Sequence, residues 1–132
     1  MTFSYSIFET LAFHSQFAGL SIEVQEEMSE DILRLKVDPF GEGCKPLIDE
    51  LEGLWRIHVG RINNILYVVA YLVCQDCSDR EFKEKFGCLD CFRHSSFHIK
   101  LVSCGIRDGF YDELVKNWQS WVITATFVDE RE

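Results

Sequence analysis

Hydrophobic and polar residues in the first forty positions follow a short strand pattern and then two helical ones. Tyr5 to Phe8 alternates as a strand does, and from Glu9 to Leu20 the apolar residues fall at helical spacing. Ser21, a residue type that caps helices, precedes a second helical stretch that Pro39 ends. The apolar residues of that stretch lie among acidic ones: Val24, Met28, Ile32 and Leu35. The pattern predicts a strand and a helical hairpin that packs on an apolar surface.

The period changes to that of β-strands after residue 53. Leu54 to Val59 alternates apolar and polar residues, and Asn63 and Asn64 have the composition of a hairpin turn. Ile65 to Val73 is almost continuously β-branched and aromatic, as is typical of a central strand, and Phe97 to Ser103 alternates again. These segments predict an antiparallel sheet whose first two strands here form a hairpin.

The last quarter of the chain adds a helix and a strand. Asp108 to Trp118 has helical spacing. Its inward positions are Tyr111, Leu114, Val115 and Trp118. Trp121 to Val128 is rich in β-branched and aromatic residues, which favours an extra C-terminal strand. The whole order of elements predicts a single α+β domain over residues 1–132, with an insert between two of its sheet strands.

Four cysteines lie in that insert. They form two C-x-x-C pairs separated by ten residues: Cys74, Cys77, Cys88 and Cys91. Because two such turns can close a tetrahedral shell of thiolates around one ion, the spacing predicts a structural Zn²⁺ site. The metal would then fold an insert of about residues 74–94 that lacks a core of its own.

Two disulfides are the alternative arrangement of these cysteines. They need an oxidising compartment, whereas the first residues have neither the basic nor the apolar run of a signal peptide, so we expect reduced thiols in the cytoplasm. His94 and His98 follow the last cysteine closely enough to replace one thiolate, although four cysteines already suffice. Cys44 and Cys104 have no supporting motif and are expected to be ordinary half-buried thiols.

The net charge of −9 is unevenly distributed along the chain. Residues 1–52 carry a net charge of −8 and residues 108–132 one of −4, whereas residues 53–107 carry +3. Phosphate affinity comes largely from Lys and Arg, so the overall charge does not indicate a nucleic-acid binder. A basic face in the middle third and a simply solvated acidic helix face both remain open. No apolar run reaches about 18 residues, so no membrane span is expected.

Three motifs give the chain a family resemblance. They are L-E-G-L-W-R-I-H-V-G at 51–60 with N-I-L-Y at 64–67, I-K-L-V-S-C-G-I-R at 99–107 with Tyr111, and Pro39 with K-P-L at 45–47. In their order and spacing these motifs resemble those of the RelE/ParE toxin superfamily. The resemblance covers about residues 3–73 and 97–118. It implies a compact antiparallel sheet with two N-terminal helices across one side.

Members of this superfamily are toxins of type II toxin–antitoxin systems. RelE-like members cleave mRNA in the ribosomal A site, and ParE-like members inhibit gyrase without cleavage. Both are usually neutralised by an antitoxin protein that wraps the toxin with a helix and a strand. The resemblance therefore implies an antitoxin partner and, for a RelE-like protein, mRNA and the ribosome as targets. Exposed sheet edges and acidic helices also indicate association with a partner or self-association as a homo-oligomer.

RelE-like cleavage transfers a phosphoryl group to the neighbouring 2′-hydroxyl without a metal. The reaction needs a base for the hydroxyl proton, cations for the phosphorane charge and an acid for the leaving oxygen. The resemblance assigns these roles to Arg56, His58, Arg107 and Tyr111. The first two are alternate residues of one strand and should therefore share a face of the sheet. A histidine in such a site suits acid–base catalysis near neutral pH.

Some positions depart from the family pattern. Asn64 stands where the family has an arginine in the second hairpin strand, although Arg61 is near enough to approach from the turn. The acidity, the zinc insert and the C-terminal strand have no counterpart in the family pattern. The four site residues also have a structural interpretation, as two solvated strand residues, a turn arginine and a core aromatic. The alternative function is therefore a non-catalytic, ParE-like or domesticated module that binds a protein through the zinc insert and the acidic helices.

Overall fold

The computed structural model describes residues 5–79 and 98–123, and for residues 77–79 and 118–123 it describes the backbone only. The strands are β1 (Ser6–Glu9), β2 (Cys44–Pro46), β3 (Trp55–Ile62), β4 (Ile65–Val73) and β5 (His98–Ile106). The helices are α1 (Leu11–Ala18), α2 (Ile22–Leu35), α3 (Cys74–Asp79) and α4 (Phe110–Ile123), with a 3₁₀ turn at Asp49–Leu51. Within these ranges, no helix is both long enough and apolar enough to cross a bilayer.

The five strands form one sheet in the order β1-β5-β4-β3-β2. Neighbours from β2 to β5 are antiparallel, but β1 runs parallel to β5, from Ser6 opposite His98 to Glu9 opposite Leu101. The α+β class is therefore confirmed, whereas the expectation of a wholly antiparallel sheet is wrong. Hairpins fix the direction of β3 and β4, but β1 pairs with a strand far along the chain, so no tight turn dictates its direction.

Helices cover both faces of the sheet. One face packs on α1 and α2, and its main core residues are Ile57, Val59, Tyr67, Val69, Tyr71, Ile99 and Leu101 with Phe13, Val24, Met28 and Ile32 from the helices. The other face packs on α4. Its core residues are Leu51, Leu54, Val68, Ala70, Leu72 and Val102 with Phe110 and Leu114 from the helix. We refer to these as the hairpin face and the α4 face.

Local signals in the sequence explain several boundaries. Ser21 caps α2 as predicted, because its Oγ accepts the backbone N–H of Val24 at 3.3 Å. Asn63 and Asn64 both have left-handed backbone angles, with φ of 53° and 66°, and they form the turn predicted between β3 and β4. The bounds of β4 are those of the continuous apolar run in the sequence.

Thr10 joins three elements at one buried point. Its Oγ1 accepts the Phe13 N–H at 3.0 Å and so caps α1, and the same hydroxyl donates to the Val102 carbonyl of β5 at 3.0 Å. The Thr10 N–H also donates to the carbonyl of Leu101 at 3.0 Å, which extends the β1–β5 pairing by one residue. The side chain is fully buried, so both hydroxyl bonds are shielded from water.

The predicted strand from Trp121 to Val128 is wrong where the structure describes it. Helix α4 continues to Ile123, five residues beyond the predicted end at Trp118. In the sequence, apolar residues at 110, 114, 118 and 121 keep the helical spacing through this stretch. That period outweighed the β-propensity of the individual residues. Residues 124–128 lie outside the described part.

Candidate functional site

Strand β3 presents Arg56 and His58 on the α4 face of the sheet. The residues between and after them, Ile57 and Val59, are buried under the helical hairpin, so the alternating side chains point the other way. The register agrees, because Arg56 lies opposite Ala70 and His58 lies opposite Val68, both of which belong to the α4 face. Both side chains are half-buried. The predicted sharing of one face is thus observed.

Strand β2 adds a third cation to this face. Lys45 lies directly opposite Arg56 in the β2–β3 register, and directly opposed residues of neighbouring strands project to the same side. Arg56 Nη1 also lies 3.5 Å from the carbonyl oxygen of Gly43. Sequence reasoning missed Lys45, because β2 has only three residues and ends in proline, which is too short for an alternating pattern.

Arg107 and Tyr111 enter the site from the junction of β5 and α4. The Arg107 N–H donates to the carbonyl of Leu66 at 2.8 Å, which holds this residue to β4 just beyond the end of β5. Gly109, with φ of 76°, then turns the chain into α4. Tyr111 is therefore in the first turn of the helix. The Arg107 guanidinium carbon lies 5.6 Å from the centroid of the Tyr111 ring, which is cation–π distance.

Arg56 and Arg107 lie within electrostatic reach of both His58 and Tyr111. Burial lowers the pKa of His58 below its usual value, and the positive charges of Arg56, Arg107 and Lys45 lower it further. Burial raises the pKa of the Tyr111 hydroxyl, while Arg56 and Arg107 act in the opposite direction. The structure therefore brings the four predicted residues together and adds Lys45 to them. We call Lys45, Arg56, His58, Arg107 and Tyr111 the cationic cluster.

The protonation state of His58 follows from these surroundings. With its pKa below 6.5, the imidazole is mainly neutral at pH 7. Its Nε2 atom is buried and has no hydrogen-bond partner in the described part of the chain. A neutral imidazole nitrogen with no protein partner can bind or deprotonate a ligand once a small shift of the side chain exposes it.

In the described part of the chain, no carboxylate forms an ion pair with the cationic cluster. The ion pairs within residues 5–79 and 98–123 are His14 with Glu9 and Arg34 with Asp31, and neither involves the cluster. Three cations thus meet on one face of a protein whose net charge is −9. Such a local field attracts an anion, and guanidinium groups bind phosphate oxygens particularly well.

A cleft of about 510 Å³ opens beside the cluster, at the tip of the β3–β4 hairpin. Its lining residues are Arg61, Asn64, Ile65, Leu66, Ile106, Arg107 and Asp108. Arg61 approaches from the turn side, as the sequence suggested, and its Nη1 donates to the Asn64 carbonyl at 3.3 Å. The register of β3 shifts between Val59 and Ile62, and this bulge places Arg61. We call this the hairpin cleft.

The predicted zinc ligands fall mostly outside the described part. Cys74 begins α3 and is buried, whereas the side chain of Cys77 and the whole of Cys88 and Cys91 are not described. Within the described ranges, no three metal-ligating side chains converge. The zinc site therefore stays a prediction.

Two contacts show how the ends of the insert meet the sheet. Trp55 Nε1 on β3 donates to Asp76 Oδ2 on α3 at 3.0 Å. His98, considered above as an alternative ligand, is buried at the start of β5, with its ring edge-to-face against Phe8 at 5.9 Å. His94 lies outside the described residues. The first turn of the insert is thus attached to β3.

Comparison with known proteins gives no match. No protein-family model matches the chain, and neither the curated proteins nor the solved structures contain a significant relative. The similarity to RelE/ParE toxins therefore rests on the sequence motifs alone. The function has to be inferred from the chemistry of the cationic cluster.

Proposed function

We propose that this protein is an endoribonuclease of the RelE toxin type that cleaves RNA at the cationic cluster without a metal. One observation supports this most strongly: a half-buried His58, whose pKa is lowered by burial and by Arg56, Arg107 and Lys45, lies near these three cations, which form no ion pair with a carboxylate in the described part of the chain. RNA cleavage by its own 2′-hydroxyl needs this combination of a base and fixed positive charge.

The proposed reaction begins when substrate binding exposes the His58 imidazole, which then takes the proton of a 2′-hydroxyl. The 2′-oxygen then attacks the adjacent phosphorus while the bond from phosphorus to the 5′-oxygen breaks. Lys45, Arg56 and Arg107 stabilise the negative charge that develops on the phosphoryl oxygens. Tyr111, whose hydroxyl is protonated at neutral pH like any tyrosine and whose pKa burial raises further, donates its proton to the leaving 5′-oxygen. The products are a 2′,3′-cyclic phosphate and a 5′-hydroxyl.

In the cell, we propose that the protein acts in the cytoplasm on mRNA, on the ribosome or free, and that an antitoxin protein restrains it. Inducible expression in a bacterial host tests this, with growth followed and mRNA 5′-ends mapped. Wild type should arrest growth and produce new 5′-hydroxyl ends. Arg107→Ala should reduce cleavage by roughly 10²-fold, the size of a lost transition-state contact. Arg34→Ala, which removes an exposed arginine on α2, is the matched control.

A second candidate, a protein-binding module without catalysis, has one observation in its favour. Four glutamates of α2 line a groove of about 340 Å³ with residues of the β3–β4 turn, Arg61 among them. The glutamates are Glu23, Glu26, Glu27 and Glu30. A basic segment of an antitoxin, of a ParE-like target or of a second copy would complement this charge. Growth arrest with intact mRNA, or no toxicity but retention of a partner that Glu26→Gln with Glu30→Gln abolishes, would favour this candidate.

A further inference from the structure

The hairpin cleft has the mixed lining of a nucleotide site. At about 510 Å³ it falls within the size range of small-ligand pockets. Arg61 and Arg107 provide two guanidinium groups against the single carboxylate of Asp108, and Ile65 and Ile106 provide apolar surface. Ile106 remains 48% exposed although it follows a fully buried stretch of β5, so the apolar wall is open to a ligand. The guanidinium groups can thus bind a phosphate, and the isoleucines can pack against a base.

Arg61 is held in place before any ligand arrives. At the bulge in β3, Gly60 and Arg61 together lie opposite the single residue Leu66 of β4. The Arg61 guanidinium donates a hydrogen bond to the Asn64 carbonyl. A held side chain loses less conformational entropy on binding, so its contact contributes more to affinity. In the described part of the chain Arg61 forms no ion pair.

Arg107 connects the hairpin cleft with the cationic cluster. It lines the cleft, and it also acts electrostatically on His58 and Tyr111. Its backbone bond to Leu66 fixes it between the two sites. A polynucleotide whose scissile phosphate lies at His58 would therefore continue past Arg107 into the cleft.

We propose that the hairpin cleft binds the nucleotide next to the scissile phosphate in single-stranded RNA. Arg61 holds the flanking phosphate, the base packs against Ile65 and Ile106, and the Asn64 side-chain amide is in reach of the base edge. Only an unpaired base can lie flat on such a wall, so the substrate class is single-stranded rather than duplex RNA. This inference rests on the proposed nuclease function for its choice of nucleic acid.

Binding and cleavage of short oligonucleotides test the inference separately. Binding uses a hexanucleotide with 2′-deoxy sugars, which cannot be cleaved, at several salt concentrations. Arg61→Ala should weaken binding by about tenfold or more, and it should reduce the slope of log K against log salt by about 0.7, the value for one phosphate contact on a single strand. Arg34→Ala should leave the slope unchanged. Wild type should also cleave a hexanucleotide faster than a dinucleotide, and Arg61→Ala should reduce that ratio.

The outcomes distinguish the cleft from the nuclease. If wild type cleaves RNA but Arg61→Ala changes neither the salt slope nor the length preference, the cleft proposal is wrong and the nuclease stands. If wild type binds the deoxy hexanucleotide through Arg61 but cleaves no RNA, the cleft is a nucleic-acid site and the nuclease proposal is wrong. Equal affinity for duplex and single strands would overturn the single-strand assignment.

Discussion

Lys45 on β2 and Arg56 on β3 lie directly opposite each other, and no carboxylate in the described part of the chain pairs with either of them. Like charges in directly opposed positions of a sheet destabilise it. A fold optimised for stability alone would place an acidic residue at one of these positions. We infer that the repulsion is retained because both charges serve the binding of an anion, a common exchange of stability for activity.

Substituting Lys45 should therefore stabilise the protein while reducing its activity. Lys45→Gln removes the repulsion, and we expect the free energy of unfolding to rise by about 0.2–0.5 kcal/mol at low salt, since Lys45 is exposed and solvent screens its charge. The gain should shrink at high salt. Urea titrations at two salt concentrations measure it. Lys116→Gln, an exposed lysine on α4, should give no such gain, and a less stable Lys45→Gln would contradict this interpretation.

The pH dependence of cleavage should follow the lowered pKa of His58. As a base, His58 must be neutral, so the rate should rise with pH to a plateau, with a midpoint below the usual pKa of histidine. His58→Gln should remove the rise and most of the rate. Profiles of kcat/KM from pH 4.5 to 8 test this. His14→Gln, which alters an exposed histidine beside Glu9, should keep the wild-type profile.

The same pKa shift predicts a change of stability with pH. The unfolded chain binds a proton at His58 near pH 6.5, whereas the folded chain binds it only at lower pH. The stability contributed by His58 is therefore present above pH 6.5 and is lost as the pH falls through the folded-state pKa. Wild type should lose more stability than His58→Gln between pH 7 and pH 5. If the free energy of unfolding falls equally with pH in the two proteins, the pKa of His58 is not lowered.

Thr10 should contribute more to stability than the other helix cap. Thr10→Val keeps the shape of the side chain but removes two buried hydrogen bonds, one with the Phe13 N–H and one with the Val102 carbonyl. We expect a loss of about 2–3 kcal/mol in the free energy of unfolding. Ser21→Ala removes one part-buried cap bond and should cost about 1 kcal/mol. Chemical denaturation measures both values, and an equal or smaller loss for Thr10→Val would contradict the role of Thr10 in joining α1 to β5.

The zinc prediction can be followed through Trp55. If Cys74, Cys77, Cys88 and Cys91 bind one Zn²⁺, removal of the metal should loosen α3 and break the bond from the Trp55 indole to Asp76. The indole N–H resonance of Trp55, assigned with Trp55→Phe, should shift on chelation and return when zinc is added. Cys88→Ser should abolish the binding of one Zn²⁺ per chain, and Cys44→Ser should leave it unchanged. Absence of zinc by elemental analysis, or disulfides among the four, would refute the site.

Long periodic segments of the sequence predicted most of the fold. The hairpin of β3 and β4 and both N-terminal helices were predictable because apolar residues recur with a clear period and the turn and cap residues are specific. The direction of β1 was not predictable, because it is set by pairing with β5 rather than by a turn. The end of α4 was misjudged because local β-propensity was preferred to the helical period.

The candidate site was predictable in part for a similar reason. Arg56 and His58 share a face because strands alternate, and that follows from the sequence alone. The approach of Arg107 and Tyr111 to that face depends on the bond from Arg107 to Leu66 and on the turn at Gly109, and only the family resemblance indicated it. Lys45 required the register of a three-residue strand, which no sequence pattern encodes.

The central claim is that the cationic cluster cleaves RNA through the 2′-hydroxyl next to the scissile phosphate. The most direct measurement is mass spectrometry of RNA incubated with purified, zinc-loaded protein, as free RNA and as mRNA on ribosomes. We predict fragments that end in a 2′,3′-cyclic phosphate, and their loss when the scissile nucleotide is 2′-deoxy or when His58 is replaced by Gln. No cleavage in either form of substrate, or cleavage that persists at a 2′-deoxy nucleotide, would contradict the claim.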